Sequence, residues 1–178
     1  MGTIVANFFT TVDGVVESPN TFIFPYFNEQ VGAAVDAGTA GADAFLMGRQ
    51  LYQEWSAYWP TSTDEPFASM INGMDKYVLS STLSEPTWNR TSVLTGEDLV
   101  GQVRALKERV GTLAMSGSAT TVRWLIANDL LDELHLLVAP LAVGSGARLF
   151  GGSRVPLTLV SSEALDTGVL HVVYAAAG

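Results

Sequence analysis

The sequence contains no cysteine and only two histidines, His135 and His171, among its 178 residues. The absence of cysteine excludes disulfides, zinc–cysteine sites and thiol chemistry. With only two imidazole groups available, we expect no metal site. Basic residues are also scarce, because nine Lys and Arg stand against 18 Asp and Glu, which gives a net charge of −9. The nine are scattered from Arg49 to Arg154 and form no basic stripe, so we expect no nucleic-acid partner.

Long apolar runs are absent as well. No stretch approaches the roughly 18 uninterrupted apolar residues that a membrane-spanning helix needs, and residues 1–7 lack the basic region of a signal peptide. We therefore expect a soluble, cytoplasmic protein without a membrane partner. A hydrophobic fraction of 48% and a charged fraction of 15% are typical of a globular chain. The length predicts one domain over residues 1–178.

The sequence does show an alternation of predicted strands and helices. Apolar, β-branched or aromatic runs predict strands at Thr3–Thr10, Ala44–Met47, Lys76–Ser80, Thr91–Thr95, Leu113–Met115 and Leu134–Ala139. Capping residues and apolar stripes of helical period predict helices from Asn28 to Ala40, from Gln50 to Ala57, from Asp64 to Gly73, after Glu97-Asp98 and after Met115. Leu157–Ser161 and Val169–Ala175 have no helix between them, which predicts an antiparallel hairpin. The predicted fold class is α/β, with a mainly parallel central sheet flanked by helices and an antiparallel C-terminal hairpin.

Three segments, at 44–49, 77–82 and 113–121, run from an apolar stretch into small or hydroxyl residues and then into a pattern that predicts a helix. A strand that ends in small residues lets a ligand approach the backbone. The helix that follows offers unpaired N–H groups and the positive end of its dipole to an anion. We therefore predict one site for a ligand with several phosphates, with a nicotinamide dinucleotide as the leading candidate. The candidate cofactor-binding residues are Phe9, Gly48, Arg49, Ser80, Ser81, Thr82, Ser116, Gly117, Ser118, Ala119, Thr120 and Thr121.

Each junction has its own expected role and its own alternative. Arg49 suits a 2′-phosphate, which favours NADPH over NADH, or it is a solvated arginine beside a tight turn. Residues 80–82 suit the same phosphate or the ribose, or they serve only as a turn or helix cap. Residues 116–121 form the best pyrophosphate loop, in which Ser118 or Thr120 would cap the next helix.

The order of these motifs resembles the dihydrofolate reductase-like superfamily, and specifically the reductase domain of the bifunctional riboflavin-biosynthesis deaminase–reductase. The matching segments are Thr11–Gly14, Phe45–Arg49, Lys76–Thr82, Ser116–Thr120, Leu130–Leu136 and Pro140–Gly146. The resemblance implies a dihydrofolate reductase-like fold that binds NADPH across the carboxyl ends of its strands. It also implies hydride transfer to a small heterocyclic or ribosylamine substrate, such as 5-amino-6-(5-phosphoribosylamino)uracil, and a possible homodimer. The sequence departs from the riboflavin reductases at Asn7, where lysine is usual, and at Tyr52–Pro60. It departs from the dihydrofolate reductases at Ser116-Gly117, where a Gly-Gly pair is usual.

Asp13 and Glu29 are the candidate catalytic residues. Reduction of an imine or carbonyl needs a proton as well as a hydride, and a carboxyl group in a partly dry pocket can have a raised pKa and donate it. Asp13 is either this acid or a turn residue. Glu29 either holds a pyrimidine-like ring by paired hydrogen bonds or is an acidic first-turn residue; Asn28 matches its place in the resemblance equally well. We expect His135 and His171 to be structural.

The sequence leaves three functions open. The first is an NADPH-dependent reductase of the riboflavin type, working without metal. The second is a non-catalytic NADPH-binding protein that has kept the cofactor loops. The third is a reductase of dihydrofolate itself, for which Glu29 is the one acid plausibly placed. Four aromatic residues either stack on a flat substrate or pack in the core: Tyr26, Phe27, Trp55 and Trp59.

Overall fold

Six parallel strands form the centre of the sheet, and an antiparallel hairpin extends one side of it. The computed structural model describes residues 2–152 and 154–176. The strands are β1 Thr3–Thr11, β2 Ala44–Gly48, β3 Asp75–Leu79, β4 Thr91–Leu94, β5 Thr112–Met115, β6 Glu133–Ala139, β7 Leu157–Ala164 and β8 Leu170–Ala176. The helices are α1 Glu29–Thr39, α2 Arg49–Tyr58, α3 Phe67–Gly73, α4 Leu99–Val110 and α5 Ala119–Ala127.

The strand order across the eight-stranded sheet is β4-β3-β2-β5-β1-β6-β8-β7. Every pairing from β4 to β6 is parallel. The pairings of β8 with β6 and with β7 are antiparallel. This arrangement confirms the predicted α/β class, its mainly parallel sheet and its C-terminal hairpin.

Different helices pack on the two faces of the sheet. The first face carries Ile4, Ala6 and Phe8 of β1, and residues of α4 and α5 pack on it in one apolar cluster. The second face carries Val5, Asn7 and Phe9, and it is covered by α1 on one side and by α2 and α3 on the other. Because full burial of one such apolar side chain contributes about 1.5–3 kcal/mol, these layers account for most of the cohesion of the fold.

Local capping explains why three of the helices start where they do. The side chain of Asn28 accepts a hydrogen bond from the Val31 N–H at 3.0 Å. Asp98 accepts one from the Gly101 N–H at 3.0 Å. Ser118 caps α5 in the same way, as predicted. Such caps satisfy N–H groups that have no partner inside the helix.

The helix predicted after Ser80-Ser81-Thr82 is wrong. Residues 80–90 form turns that lead directly into β4. The Ser80 hydroxyl accepts from the Leu83 N–H at 3.0 Å, which closes a turn instead of capping a helix. Further along, the Tyr52 hydroxyl accepts from the N–H groups of Thr87 and Trp88 at 2.8 and 3.2 Å. Contacts with distant residues thus hold this segment in an irregular path. In the part of the chain that the structure describes, no helix is long and apolar enough to cross a membrane.

Candidate functional site

A gap in the sheet opens at its carboxyl edge, between β1 and β2. The strand β5 lies between them, but it pairs with β1 only from Thr3 to Ala6 and ends at Met115. Meanwhile β1 continues to Thr11 and β2 continues to Gly48. Because a ligand in an open α/β sheet binds outside the carboxyl ends of the strands, where neighbouring elements diverge, this gap is the natural position for one.

Two of the three predicted junctions meet at this gap. The Gly48 N–H donates to the Gly117 carbonyl oxygen at 3.3 Å. A β-carbon at position 48 would lie 2.3 Å from the Thr121 hydroxyl oxygen and 2.7 Å from that of Ser118, so only glycine fits there. The helix α2 begins directly after Gly48 and packs on the second face, whereas α5 begins after Ser118 and packs on the first face. Two helix N-termini from opposite faces therefore converge on one point.

The two N-termini differ in how their N–H groups are satisfied. The cap of α5 is Ser118, whose hydroxyl lies 3.4 Å from the Thr121 N–H and 2.9 Å from the Thr121 hydroxyl. The cap of α2 is Gly48, which provides no side-chain acceptor. An anion near Gly48 would therefore find donor groups that no side chain of the cap occupies. The peptide bond between Gly117 and Ser118 is cis.

The remaining cofactor candidates lie at the same edge of the sheet. Arg49 is the first residue of α2, and its side chain is exposed. Residue Ser80 directly follows β3, where Leu79 is in register with Gly48. Residues Ser116, Ala119 and Thr120 belong to the loop and first turn around Gly117. The structure therefore brings the three junctions to one edge, although the second of them lacks its predicted helix.

Phe9 and Glu29 lie on the second-face side of the gap. Phe9 is on the part of β1 that extends past β5, and its ring packs edge-on against Phe27 at 6.2 Å between centroids. The helix α1 leads back to the start of β2, so its first residue, Glu29, lies toward the carboxyl edge. The Glu29 side chain is exposed. The neighbouring Gln30 accepts from the Asp166 N–H at 2.9 Å, which attaches this end of α1 to the turn between β7 and β8.

Asp13 holds two loops together. Its carboxylate accepts from the Thr11 hydroxyl at 2.5 Å and from the N–H groups of Val143 and Gly144 at 3.2 and 2.8 Å. The Arg148 guanidinium lies 3.8 Å from the same carboxylate and also donates to the Asp13 carbonyl oxygen at 2.9 Å. The loop after β1 is therefore bound to the segment that follows β6.

These contacts contradict the expected raised pKa of Asp13. The Thr11 hydroxyl, and after it the Gly144 N–H, lower the pKa of Asp13 to about 2. Donors that point at a carboxylate stabilise its charged form, so Asp13 is ionised at neutral pH and has no proton to give. Its turn interpretation fits the structure, and the proton-donor role does not. The sequence offered no sign of the Val143, Gly144 and Arg148 contacts, because these partners lie more than 120 residues away in the chain.

The aromatic residues of α2 mainly pack in the core. Trp55 lies 5.2 Å from Phe45, 5.9 Å from Trp59 and 5.7 Å from Phe67 between ring centroids. This cluster fills the space between β2 and α3. In the segment Tyr52–Pro60, where the sequence departs from the riboflavin reductases, Tyr52 is therefore a core residue of the second face and the half-buried Trp55 and Trp59 pack against that core.

The other departure, Asn7, is also a packing residue. Asn7 is buried, and its amide donates to the Gly38 carbonyl oxygen of α1 at 2.8 Å. A β-carbon at position 38 would lie 1.7 Å from the Asn7 side-chain oxygen, so the glycine allows α1 to approach β1. Asn7 thus fixes α1 against the sheet instead of facing the gap.

The two histidines form a structural pair. His135 on β6 and His171 on β8 lie 3.1 Å apart between Nδ1 and Nε2, and Glu133 is 3.1 Å from the other His135 nitrogen. Burial, followed by the nearby His135, lowers the pKa of His171. Across residues 2–152 and 154–176, no group of three or more His, Asp or Glu side chains is placed to hold a metal ion.

The fold and the gap define a class of α/β protein that binds a ligand at the carboxyl edge of a mostly parallel sheet. The family model of the RibD C-terminal domain matches residues 2–171. The chain therefore belongs to the RibD C-terminal domain family. This result confirms the family expected from the ordered motifs.

Relatives and solved structures agree with this assignment. "Uncharacterized protein YyaP" of Bacillus subtilis (strain 168) is 24% identical over 188 residues, covering 96% of this chain and 93% of that protein. The crystal structure of a "Putative riboflavin biosynthesis protein" from Shewanella sp. PV-4 superposes with a TM-score of 0.72, at 20% identity, over 100% of both chains. A pyrimidine reductase-like protein from Corynebacterium diphtheriae gives 0.67 at 14% identity, over 99% of this chain and 92% of that one. RibD of Acinetobacter baumannii gives 0.68 at 13% identity, over 99% of this chain and 58% of that one.

Proposed function

We propose that this protein is an NADPH-dependent reductase that transfers a hydride to a small heterocyclic or ribosylamine substrate. The observation that carries the proposal is the convergence of two helix N-termini at Gly48, Gly117 and Ser118. Family membership supports the reductase part, since the related proteins of known structure are described as riboflavin-biosynthesis and pyrimidine reductase-like proteins. The first substrate class that we propose is the one implied by the family resemblance, namely phosphoribosylamino pyrimidines such as 5-amino-6-(5-phosphoribosylamino)uracil.

The donor groups at the gap fit the phosphates of such a cofactor. The first-turn N–H groups of α5 at Ala119 and Thr120, together with those of α2, would hold the pyrophosphate. Arg49 would bind the 2′-phosphate, because its guanidinium is exposed beside the same helix end and a forked donor suits a phosphate. The hydroxyls of residues 80–82 would contact the same phosphate or the ribose. When bound, NADPH supplies the hydride.

The residues of β1 and α1 would complete the site on the substrate side. Phe9 would support the nicotinamide end, and Glu29 would bind a polar ring edge through its carboxylate. Asp13 is proposed only as the residue that positions the loop after β1, because its carboxyl group is ionised. The proton would then come from an ordered water or from another acid beside the substrate. We further propose a cytoplasmic homodimer, acting on small molecules, built from a single domain over residues 1–178.

The decisive experiment places a negative charge at the helix end without weakening the helix. Ala119→Asp puts a carboxylate in the first turn of α5, where the helix dipole favours it. Ala119 is half-buried against the main apolar cluster, so the uncharged variant described next measures the cost of the larger side chain. The same charge repels a pyrophosphate. We expect NADPH to raise the Tm of the parent protein and to quench its tryptophan fluorescence, as binding to the folded state requires. In Ala119→Asp, the affinity for NADPH measured by either effect should be at least tenfold lower.

The matched control is Ala119→Asn, which has nearly the same size and no charge. It should bind NADPH close to the parent affinity. Equal binding by the Asp and Asn variants would show that the phosphates lie elsewhere. Arg49→Ala should reduce the preference for NADPH over NADH, and an unchanged preference would remove Arg49 from this role.

Substrate panels separate the three functions left open by the sequence. A reductase of the riboflavin type oxidises NADPH with phosphoribosylamino pyrimidines. A dihydrofolate reductase does so with dihydrofolate, and Glu29→Gln should then abolish turnover. A non-catalytic binder gives a full NADPH-dependent Tm shift but no oxidation with either substrate class.

A further inference from the structure

Arg123, a half-buried residue in the second turn of α5, joins two parts of the structure. One terminal nitrogen of its guanidinium, Nη1, donates to the carbonyl oxygens of Arg148 and Leu149 at 3.1 and 2.8 Å. The other, Nη2, donates to the Thr120 hydroxyl oxygen at 3.2 Å. Thr120 lies in the first turn of α5, whereas Arg148 and Leu149 lie in the segment that follows β6. A single side chain therefore connects the start of α5 to that segment.

The segment that Arg123 holds is paired in turn with the loop after β1. The Leu149 N–H donates to the Gly14 carbonyl oxygen at 3.1 Å, and the Val16 N–H donates to the Ala147 carbonyl oxygen at 2.9 Å. Leu149 is buried in the main apolar cluster, so its backbone is a firm point of attachment for the loop. The loop begins at the carboxyl end of β1, beside the gap. Contacts that fix Leu149 therefore also fix the loop on one side of the gap.

We propose that Arg123 is a positioning residue that holds the loop after β1 in register with the cofactor end of α5. The proposal rests on the proposed function for the cofactor, and it adds the residue that connects the two sides of the gap. Arginine suits this role, because its planar guanidinium offers several N–H donors in fixed directions and can hold acceptors on two elements at once. Its three acceptors are neutral oxygens, so the guanidinium charge is still available to attract a phosphate.

The Thr120 hydroxyl allows this connection to respond to a bound phosphate. The Thr120 side chain is exposed in the first turn of α5, where the pyrophosphate is proposed to bind. Because its oxygen accepts from Arg123, a phosphate can take the hydroxyl proton. A hydroxyl that donates to an anion becomes a stronger acceptor, since hydrogen bonds in a chain polarise one another. A bound phosphate would therefore strengthen the contact with Arg123 and hold the loop after β1 more firmly.

Hydrogen exchange at the Val16 and Leu149 amides measures the anchoring without any cofactor, because both N–H groups donate across the contact between the loop and the segment. In Arg123→Gln both amides should exchange about tenfold faster than in the parent, since hydrogen bonds from a charged donor are lost. The matched control is Arg104→Gln, which removes the same charge from an exposed position on α4 and should leave both rates unchanged. Equal rates in Arg123→Gln and the parent would overturn the proposal. Equal acceleration at the buried Ala114 amide of β5 would also overturn it, because it would show a loss of global stability alone.

Thr120→Val and Thr120→Ser test the response to the cofactor, because valine has the shape of threonine without the hydroxyl and serine keeps the hydroxyl. Saturating NADPH should slow exchange at Val16 and Leu149 about threefold in the parent and in Thr120→Ser. In Thr120→Val it should leave both rates unchanged while still raising the Tm. Equal slowing in Thr120→Val and the parent, or no slowing in a parent whose Tm rises, would overturn the role of the hydroxyl.

The two measurements separate this proposal from the proposed function. A parent protein whose Tm does not respond to NADPH would contradict the proposed function and the response of the loop to the cofactor. The anchoring by Arg123 would still be decided by the exchange rates measured without cofactor.

Discussion

Asp13 shows how a residue of apparent catalytic character can serve a positional role. Its carboxylate receives three hydrogen bonds, and these contacts, the Thr11 hydroxyl first, lower its pKa to about 2. A general acid at neutral pH needs the opposite shift. The partners belong to the segment after β6, so the carboxylate fixes that segment beside the gap. The contacts of Asp13 therefore hold the loop after β1 in place.

This role predicts a specific pH dependence of stability for Asp13→Asn. The pKa of the folded carboxyl, about 2, lies below the 3.8 of the unfolded chain. The ionised form is therefore favoured by folding, and its stabilisation is fully present above about pH 4 and is lost as the pH falls toward 2. Thermal melts should show the variant less stable than the parent at pH 5 to 7. The difference should shrink toward zero near pH 2.

The control is Asp36→Asn, which removes one charge from an exposed position on α1. The Tm difference between Asp36→Asn and the parent should not shrink in this way as the pH falls toward 2. If the difference in Tm between the parent and Asp13→Asn grew as the pH fell, that result would contradict the lowered pKa. A fall in kcat of a hundredfold or more in Asp13→Asn, with unchanged substrate KM and unchanged stability, would restore the acid role.

At the scale of elements, the closeness of the two helix starts depends on Gly48. A methyl group there would meet the hydroxyls of Thr121 and Ser118 at 2.3 and 2.7 Å. Overpacking of this kind costs about 1–3 kcal/mol, so Gly48→Ala should lower the free energy of unfolding in urea by that amount. It should also weaken NADPH binding, because α2 and α5 would be pushed apart. Gly73→Ala is the control, because no atom lies within 4 Å of its added β-carbon. Equal stability of the two variants would contradict the close contact.

The elements also show what the sequence could and could not predict. Helix starts at Asn28, Asp98 and Ser118 were readable because a cap depends on residues three positions apart. The spacing of the motifs does not predict the strand order. It does predict the C-terminal hairpin, and it predicts that the three junctions lie at one edge of the sheet. The turns of residues 80–90 depend on the Tyr52 hydroxyl, and the contacts of Asp13 depend on Val143 and Gly144. Interactions across such distances along the chain leave no local pattern, which is why the helix expected after residue 82 was wrong. The largest cause of the lowered pKa of Asp13 is the Thr11 hydroxyl, two residues away, and the sequence alone does not give the orientation of that hydroxyl.

For the whole molecule, the homodimer proposed above makes thermal stability depend on protein concentration. If unfolding and dissociation occur together, each tenfold rise in concentration favours the folded dimer by about 1.4 kcal/mol. With the usual unfolding entropy per residue for two such chains, the Tm should rise by about 2 °C per tenfold increase. Calorimetry across a hundredfold range of concentration measures this slope without cofactor. A Tm that stays constant over that range would contradict the proposed homodimer.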